Sequence, residues 1–257
     1  MKRLSSFVLL TLLLSLLVSP AFVTSAATQT ADEVIEKHIA AMGGRAALMK
    51  ITSRKATGTM TVNTPNGAIS GPFEVYSKAP NKTRLYVVLD LAPMGMNDKL
   101  TLDQKFDGTT GWALNTLQGD KQITGNQLEN MKNQMFPSSL LNYKAAGVTV
   151  ELLPNETVGG TSLLVLKLTP KTGSVSKLYL DPQTYLAVRT TATVNSPDMG
   201  GMIEQTSEAS DYRVVDGVKV PFKTTNTATG AVSQSATLVY DKVEHNVLVD
   251  EAIFSVK

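Results

Sequence analysis

The chain has 257 residues, no cysteine, 42% hydrophobic residues and 18% charged residues. Its formal charge of +2 traces to Lys2 and Arg3, which make up the excess of 24 basic over 22 acidic residues, so the rest of the chain is balanced. Without a Lys/Arg cluster there is no phosphate-neutralising surface for nucleic acid and no polybasic patch for anionic headgroups; without cysteine there is no disulfide framework and no lipidated N-terminal cysteine.

The start of the chain has the order of a secretory leader. Lys2 and Arg3 precede an apolar run over 7–18, and Thr24-Ser25-Ala26-Ala27 supplies small residues. That order predicts a signal peptide over 1–26, cleaved after Ala26, with Ala27 as the alternative. The apolar run of about 12 residues is short of the ~20 that a spanning helix needs, so the processed protein is expected not to span a membrane.

Thr30-Ala31-Asp32-Glu33 has capping-box spacing. Val34, Ile35, Ile39 and Met42 then share a helical face, and Gly43-Gly44 stops the helix. A further helical turn is expected over 45–50. From residue 57 the pattern has period two. Strands are predicted over 57–63, 73–78, 83–91, 99–106 and 112–116, with Asn66-Gly67 and Asp107-Gly108 as hairpin turns. Over 126–136 the spacing of Leu128, Met131 and Met135 is helical, and Pro137 ends it; 138–143 reads as a second short helix. Strands resume at 148 and continue in hairpin succession to 243, with turns at Gly159-Gly160, Asp181-Pro182 and Asp216-Gly217.

Hairpin succession implies one antiparallel sheet rather than βαβ units. About ten or eleven strands in one sheet are expected to curl. Leu85, Val87, Leu89 and Leu91 share one strand face; Leu164, Leu166 and Leu168 share another. By contrast, 204–210 is polar on both faces. A strongly apolar sheet face needs a cover, and the N-terminal helix and the helical insertion are available for it.

The segments Ala31 to Gly44, Lys78-Ala79-Pro80-Asn81-Lys82 with Arg84, Phe106-Asp107-Gly108-Thr109-Thr110-Gly111-Trp112, Tyr179-Leu180-Asp181-Pro182, Asp211-Tyr212-Arg213 with Asp216-Gly217-Val218-Lys219-Val220-Pro221-Phe222, and Ala252-Ile253-Phe254 occur in this order. In them the chain resembles the periplasmic LolA/LolB-like proteins, the outer-membrane lipoprotein-sorting group, in an uncharacterised branch. The resemblance implies a mainly β (α+β) fold: a strongly curved antiparallel half-barrel whose concave face is covered by an N-terminal helix and a helical insertion. It makes 27–257 one such domain and implies a periplasmic location. It also implies an apolar cavity for acyl chains of lipoproteins or lipids, with Arg84 near that cavity, as an arginine often is in sorting members.

The candidate cavity residues are therefore Arg84, the strand residues Leu85, Val87, Leu89, Leu91, Leu164 and Leu166, the loop methionines Met94 and Met96, and Met131, Met135, Phe136 and Leu140 of the insertion. Methionine adapts to variable apolar ligands and equally fills core gaps, so Met94 and Met96 read as a cavity mouth or as core filler. The insertion reads as a movable plug or as permanent core. His38 and His245 are expected at the surface or at caps. No His/Cys/Asp/Glu cluster has metal-ligand spacing, so neither metal nor cofactor is expected. Trp112 reads as the core anchor of its hairpin. No Gly-x-Ser-x-Gly or phosphate loop is present. A non-enzymatic, monomeric carrier or sensor of acyl chains is the leading expectation. A protein-interaction module of the cell envelope on the same fold is the alternative, and an enzyme comes third.

Overall fold

The computed structural model describes residues 29–64, 67–196, 201–230 and 233–255. The expected signal peptide lies outside these residues, as does Asn66 of the Asn66-Gly67 turn.

Thr30 caps helix α1 (Ala31–Ala41): its hydroxyl accepts from the Glu33 amide at 3.2 Å, and the Glu33 carboxylate accepts from the Thr30 amide at 2.9 Å. This reciprocal pairing satisfies two of the donors left orphaned at a helix start. Gly43 and Gly44, at φ 120° and 90°, turn the chain out of the helix into α2 (Arg45–Met49). Val34, Ile35 and Ile39 are buried on one face of α1.

Thirteen strands follow among the described residues: β1 (Ser53–Thr64), β2 (Gly67–Lys78), β3 (Lys82–Asp90), β4 (Lys99–Phe106), β5 (Gly111–Asn115), β6 (Gly119–Ile123), β7 (Thr149–Val158), β8 (Thr161–Thr169), β9 (Ser176–Leu180), β10 (Ala187–Ser196), β11 (Gly201–Val215), β12 (Val218–Thr229) and β13 (Gln234–His245). They form one antiparallel sheet in the order β6-β5-β4-β3-β2-β1-β13-β12-β11-β10-β9-β8-β7. The expectation of ten or eleven strands falls short. The clearest omission is β6, whose Asp120, Lys121 and Gln122 are exposed and carry no apolar alternation. It forms because the turn after Asn115 folds it back in register, Asn115 opposite Gly119, and an edge strand requires little more than that pairing.

The sheet does not close: β6 and β7 are its two edges. The chain passes from one to the other through α3 (Gly125–Asn133) and the run 134–148. Residues 139–147 are successive turns rather than the expected short helix. The Leu140 amide bonds to the Ser138 hydroxyl instead of a helical carbonyl, and the Val148 amide closes the run on Tyr143 O at 2.9 Å. Thus the insertion strides across the open side of the sheet.

The inner face is set by register. Ala56, Met60 and Val62 on β1 face the same way as Phe73 and Val75 on β2, Leu85 and Val87 on β3, and Leu238 and Val243 on β13. At the base, α1 contributes Val34, Ile35 and Ile39 to a core with Ala56, Leu164, Leu166, Leu180, Val220, Phe222 and Val243. Phe106 and Ile123 hold α3 through Met131. Trp112 is opposite Lys105 on the outer face and half-buried, so it is not a core anchor. Its neighbours Gly111 and Ala113 take the inward positions, since strand faces alternate.

Candidate functional site: a cavity between sheet and insertion

A cavity of about 890 Å³ lies between the upper half of the sheet and the insertion. Leu102 of β4 and Leu168 of β8 both line it. These strands are nine places apart in the sheet order, which in a flat sheet would be about 43 Å at ~4.8 Å per strand. Sharing one cavity requires strong curvature. The bend has visible aids: an extra residue in β13 opposite Thr57/Gly58, and register shifts in β7 and β10.

The walls differ in chemistry. Met60, Val62 and Leu102 form one apolar flank; Leu168, Leu178, Ala192 and Val194 form the other; Leu140 and Val148 come from the insertion and the chain leaving it. Between the flanks, β11 to β13 present Gln205, Ser207, Asn226 and Gln234. Gln205 and Ser207 belong to the stretch 204–210, whose polar residues on both faces gave the sequence pattern no clear inside. Met60, Leu140 and Val194 are buried, whereas Gln205, Asn226 and Gln234 are exposed.

His38 enters the wall from α1. Against the expectation of a surface or cap position it is only 7% exposed, and its Nδ1 lies 2.8 Å from Tyr185 O. Burial holds its imidazole below the ordinary pKa against the opposing pull of that hydrogen bond. His245, also expected at the surface or at a cap, is 9% exposed with Nδ1 3.3 Å from an Asp216 carboxylate oxygen. Neither histidine belongs to a group of three or more His, Asp or Glu able to hold a metal among the described residues.

Of the candidate residues named from the sequence, Leu140 lines the cavity. Val87, Leu89 and Leu91 are buried in a cluster with Phe73, Ile69 and Met60, of which Met60 reaches the cavity, and Leu85 and Met94 pack against it. Met96 is 39% exposed. Leu164 and Leu166 belong to the basal core, against which Phe136 packs. Met131 is buried under Phe106, and Met135 is half-buried with its amide on the Ser139 hydroxyl. Arg84 sits on the outer face, where its guanidinium grips both oxygens of Asp103 at 2.8 and 2.9 Å. Cations at inner-face register positions include Arg213, opposite Val220 and 4.4 Å from the Phe222 ring centre, and Arg54. The Arg54 guanidinium carbon stands 5.2 Å from the Phe136 ring centre, its Nε is buried without a partner, and it lies outside the cavity wall.

The apolar flanks carry the same period-two signal that marked Leu164 and Leu166, so Leu168 was within reach of that reading. Gln205, Asn226 and His38 had no such signal: only the curl of the sheet and the seating of α1 bring them to one space.

No protein-family model matches this sequence, and no curated protein matches it. Solved structures do match in fold. One is a LolA superfamily protein from Nitrosomonas europaea, 14% identical with a TM-score of 0.54, the alignment covering 89% of this chain and 99% of that one. A domain named for outer membrane lipoprotein sorting, from Vibrio parahaemolyticus, is 13% identical with a TM-score of 0.52 over 86% and 94% of the two chains. A DUF1329 family protein from Desulfovibrio piger is 14% identical with a TM-score of 0.54 over 89% and 98%. At these identities the likeness is one of fold: the chain has a LolA-like fold.

Proposed function

We propose that this protein is an exported, non-enzymatic carrier or sensor that holds the acyl chain of a lipid or lipoprotein between its curved sheet and the insertion. The cavity of about 890 Å³ with two apolar flanks carries the reading; ligand sites of about 300–1,000 Å³ are typical for small molecules. Each buried methylene contributes about 0.8 kcal/mol, so eight of them supply about 6 kcal/mol before the costs of association. The fold shared with the lipoprotein-sorting domain supports the same reading. The hydroxyls of Ser138 and Ser139 at the wall are bonded to backbone groups of the insertion. A periplasmic destination rests on the leader pattern of residues 1–26, and among the described residues no helix is long and apolar enough to cross a membrane.

The test is native mass spectrometry of protein purified from cell envelopes without detergent, with solvent extraction of anything bound. A co-purifying species of acyl-lipid mass, or stoichiometric uptake of a fluorescent fatty acyl probe, is expected. A bare mass together with no uptake of the probe would overturn the proposal. N-terminal sequencing of the same material should begin at Ala27 or Thr28.

A further inference from the structure

We infer that the cavity selects amphiphiles whose polar part is uncharged, an acylglycerol, acyl amide or glycosylated acyl chain, over those with an anionic head. The inference rests on the acyl-carrier reading and specifies its ligand class. Its first support is the composition of the wall. Among the described residues lining the cavity there is no Asp, Glu, Lys or Arg. Charged side chains on the same strands form outer-face pairs, Lys55 with Glu74, Lys177 with Glu156, Arg189 with Glu208 and Lys242 with Glu244, while Arg213 of β11, opposite Val220, is held by Asp211 and the Phe222 ring outside the wall. The inner-face guanidinium of Arg54 is occupied by the Phe136 ring, away from the wall.

The second support is what stands where a head would lie. Gln205, Ser207, Asn226 and Gln234 face inward on three adjacent strands, Gln205 opposite Ala228 and Ser207 opposite Asn226. Among the described residues their side chains make no hydrogen bond to one another or to neighbours. Amides and hydroxyls offer both donors and acceptors, which suits hydroxyl, ester and amide groups equally. A carboxylate or phosphate leaving water for this wall would find no cation, and an unpaired charge is costly to desolvate. The titratable ring at the wall does not supply one. A carbonyl only accepts, so the bond from His38 to Tyr185 O places a proton on Nδ1, and burial of the ring opposes the second proton on Nε2 that would make it a cation.

The geometry also orders the ligand. Leu140 and His38 are buried, whereas Gln205, Asn226 and Gln234 are exposed. A tail therefore lies against the flanks and Leu140, and the uncharged head rests on the amide patch.

The experiment is displacement of N-phenyl-1-naphthylamine, an uncharged fluorophore, from the purified protein by four C18 competitors below their aggregation concentrations. Monooleoylglycerol and oleamide are the uncharged arms; oleate at pH 8 and oleoyl lysophosphatidylglycerol are the anionic ones. The uncharged pair should displace the probe at concentrations about tenfold lower, the cost of partly desolvating an anionic head against a wall without a cation. Asn226→Lys, at an exposed inner-face position, should shift the ratio toward the anionic arms with the thermal midpoint unchanged. Gln205→Leu with Asn226→Leu should weaken monooleoylglycerol while sparing the fluorophore. Equal displacement by both pairs, or a ratio unmoved by Asn226→Lys, would overturn the inference and leave the carrier reading standing. Failure of the fluorophore and of all four lipids to bind would overturn both.

Discussion

His38 and Tyr185 tie the first helix to the turn before β10: the imidazole Nδ1 of one meets the backbone carbonyl of the other at 2.8 Å, and Tyr185 holds a left-handed φ of 56° to present it. Because burial lowers the imidazole's pKa below 6.5, the unfolded chain takes up this proton first. The stabilisation is thus complete above about pH 6.5 and is lost as pH falls from there through the folded pKa. His245 adds in the same direction, through burial and then the charge of Arg54. The urea midpoint should therefore be lower at pH 5 than at pH 8, and His38→Gln should flatten part of that slope. NMR titration of the two imidazoles checks the cause; apparent pKa values at or above 6.5 would contradict it.

Arg84 should matter for stability and not for ligand. Its bond to Asp103 lies on the outer face, with the Asp103 side chain 11% exposed. Arg84→Met leaves that carboxylate with Lys105, 3.7 Å away, and is expected to cost about 1–3 kcal/mol, as for a charge-assisted hydrogen bond. Affinity for the acyl probe should stay within about twofold, a difference under 0.5 kcal/mol. A large loss of uptake in a protein that still melts cooperatively would place Arg84 in the binding path.

Curvature has its own test in Gly58. A Cβ there would come within 2.0 Å of Val239 O and 2.9 Å of the Phe73 ring. The first neighbour is backbone and cannot swing away, and the position sits at the register shift between β1 and β13. Gly58→Ala should cost about 2 kcal/mol or more, as overpacking does, and should reduce probe uptake by altering the bend. Thermal melting and probe binding read the two effects separately. Gly119→Ala, where a Cβ would meet nothing within 4 Å, provides a contrast: it strains the turn at φ 87° but leaves the cavity intact.

Filling the cavity should abolish uptake without unfolding the chain. Ala192 lines it from β10, opposite Gln205 and Ser176. In Ala192→Trp the indole would take the space left for hydrocarbon. Probe binding is expected to fall at least about tenfold, the equivalent of 1.4 kcal/mol, with a thermal midpoint equal to or above that of the parent. Unchanged uptake would show that hydrocarbon binds elsewhere.

Local chemistry was legible in the residues themselves. The capping box at Thr30 and Glu33, the glycine stop at 43 and 44, the Asp107-Gly108 turn and the period-two faces of β3 and β8 depend on neighbours a few positions apart. A sequence window contains all of those partners. The same windows were silent on β6, whose polar residues pair only because a turn delivers them. They also put Leu85, Val87 and Leu89 in the ligand space, where the structure buries Val87 and Leu89 in a cluster, packs half-buried Leu85 against it and brings Met60 of that cluster to the wall instead.

Which apolar residues are core and which line a void was decided by tertiary structure alone. Alternation gives each strand an inside, but an inside becomes core where a helix or turn fills it and cavity where none reaches. The seating of α1 over Val220 and Val243, and the stride of 134–148 from edge to edge, close the lower half of the bowl and leave Met60, Leu178 and Asn226 facing open space. The α1 contacts with Val220 and Val243 join residues more than a hundred positions apart and those of the run join residues several tens apart, Phe136 N to Pro80 O among them, and a pattern with period two holds no information at that range.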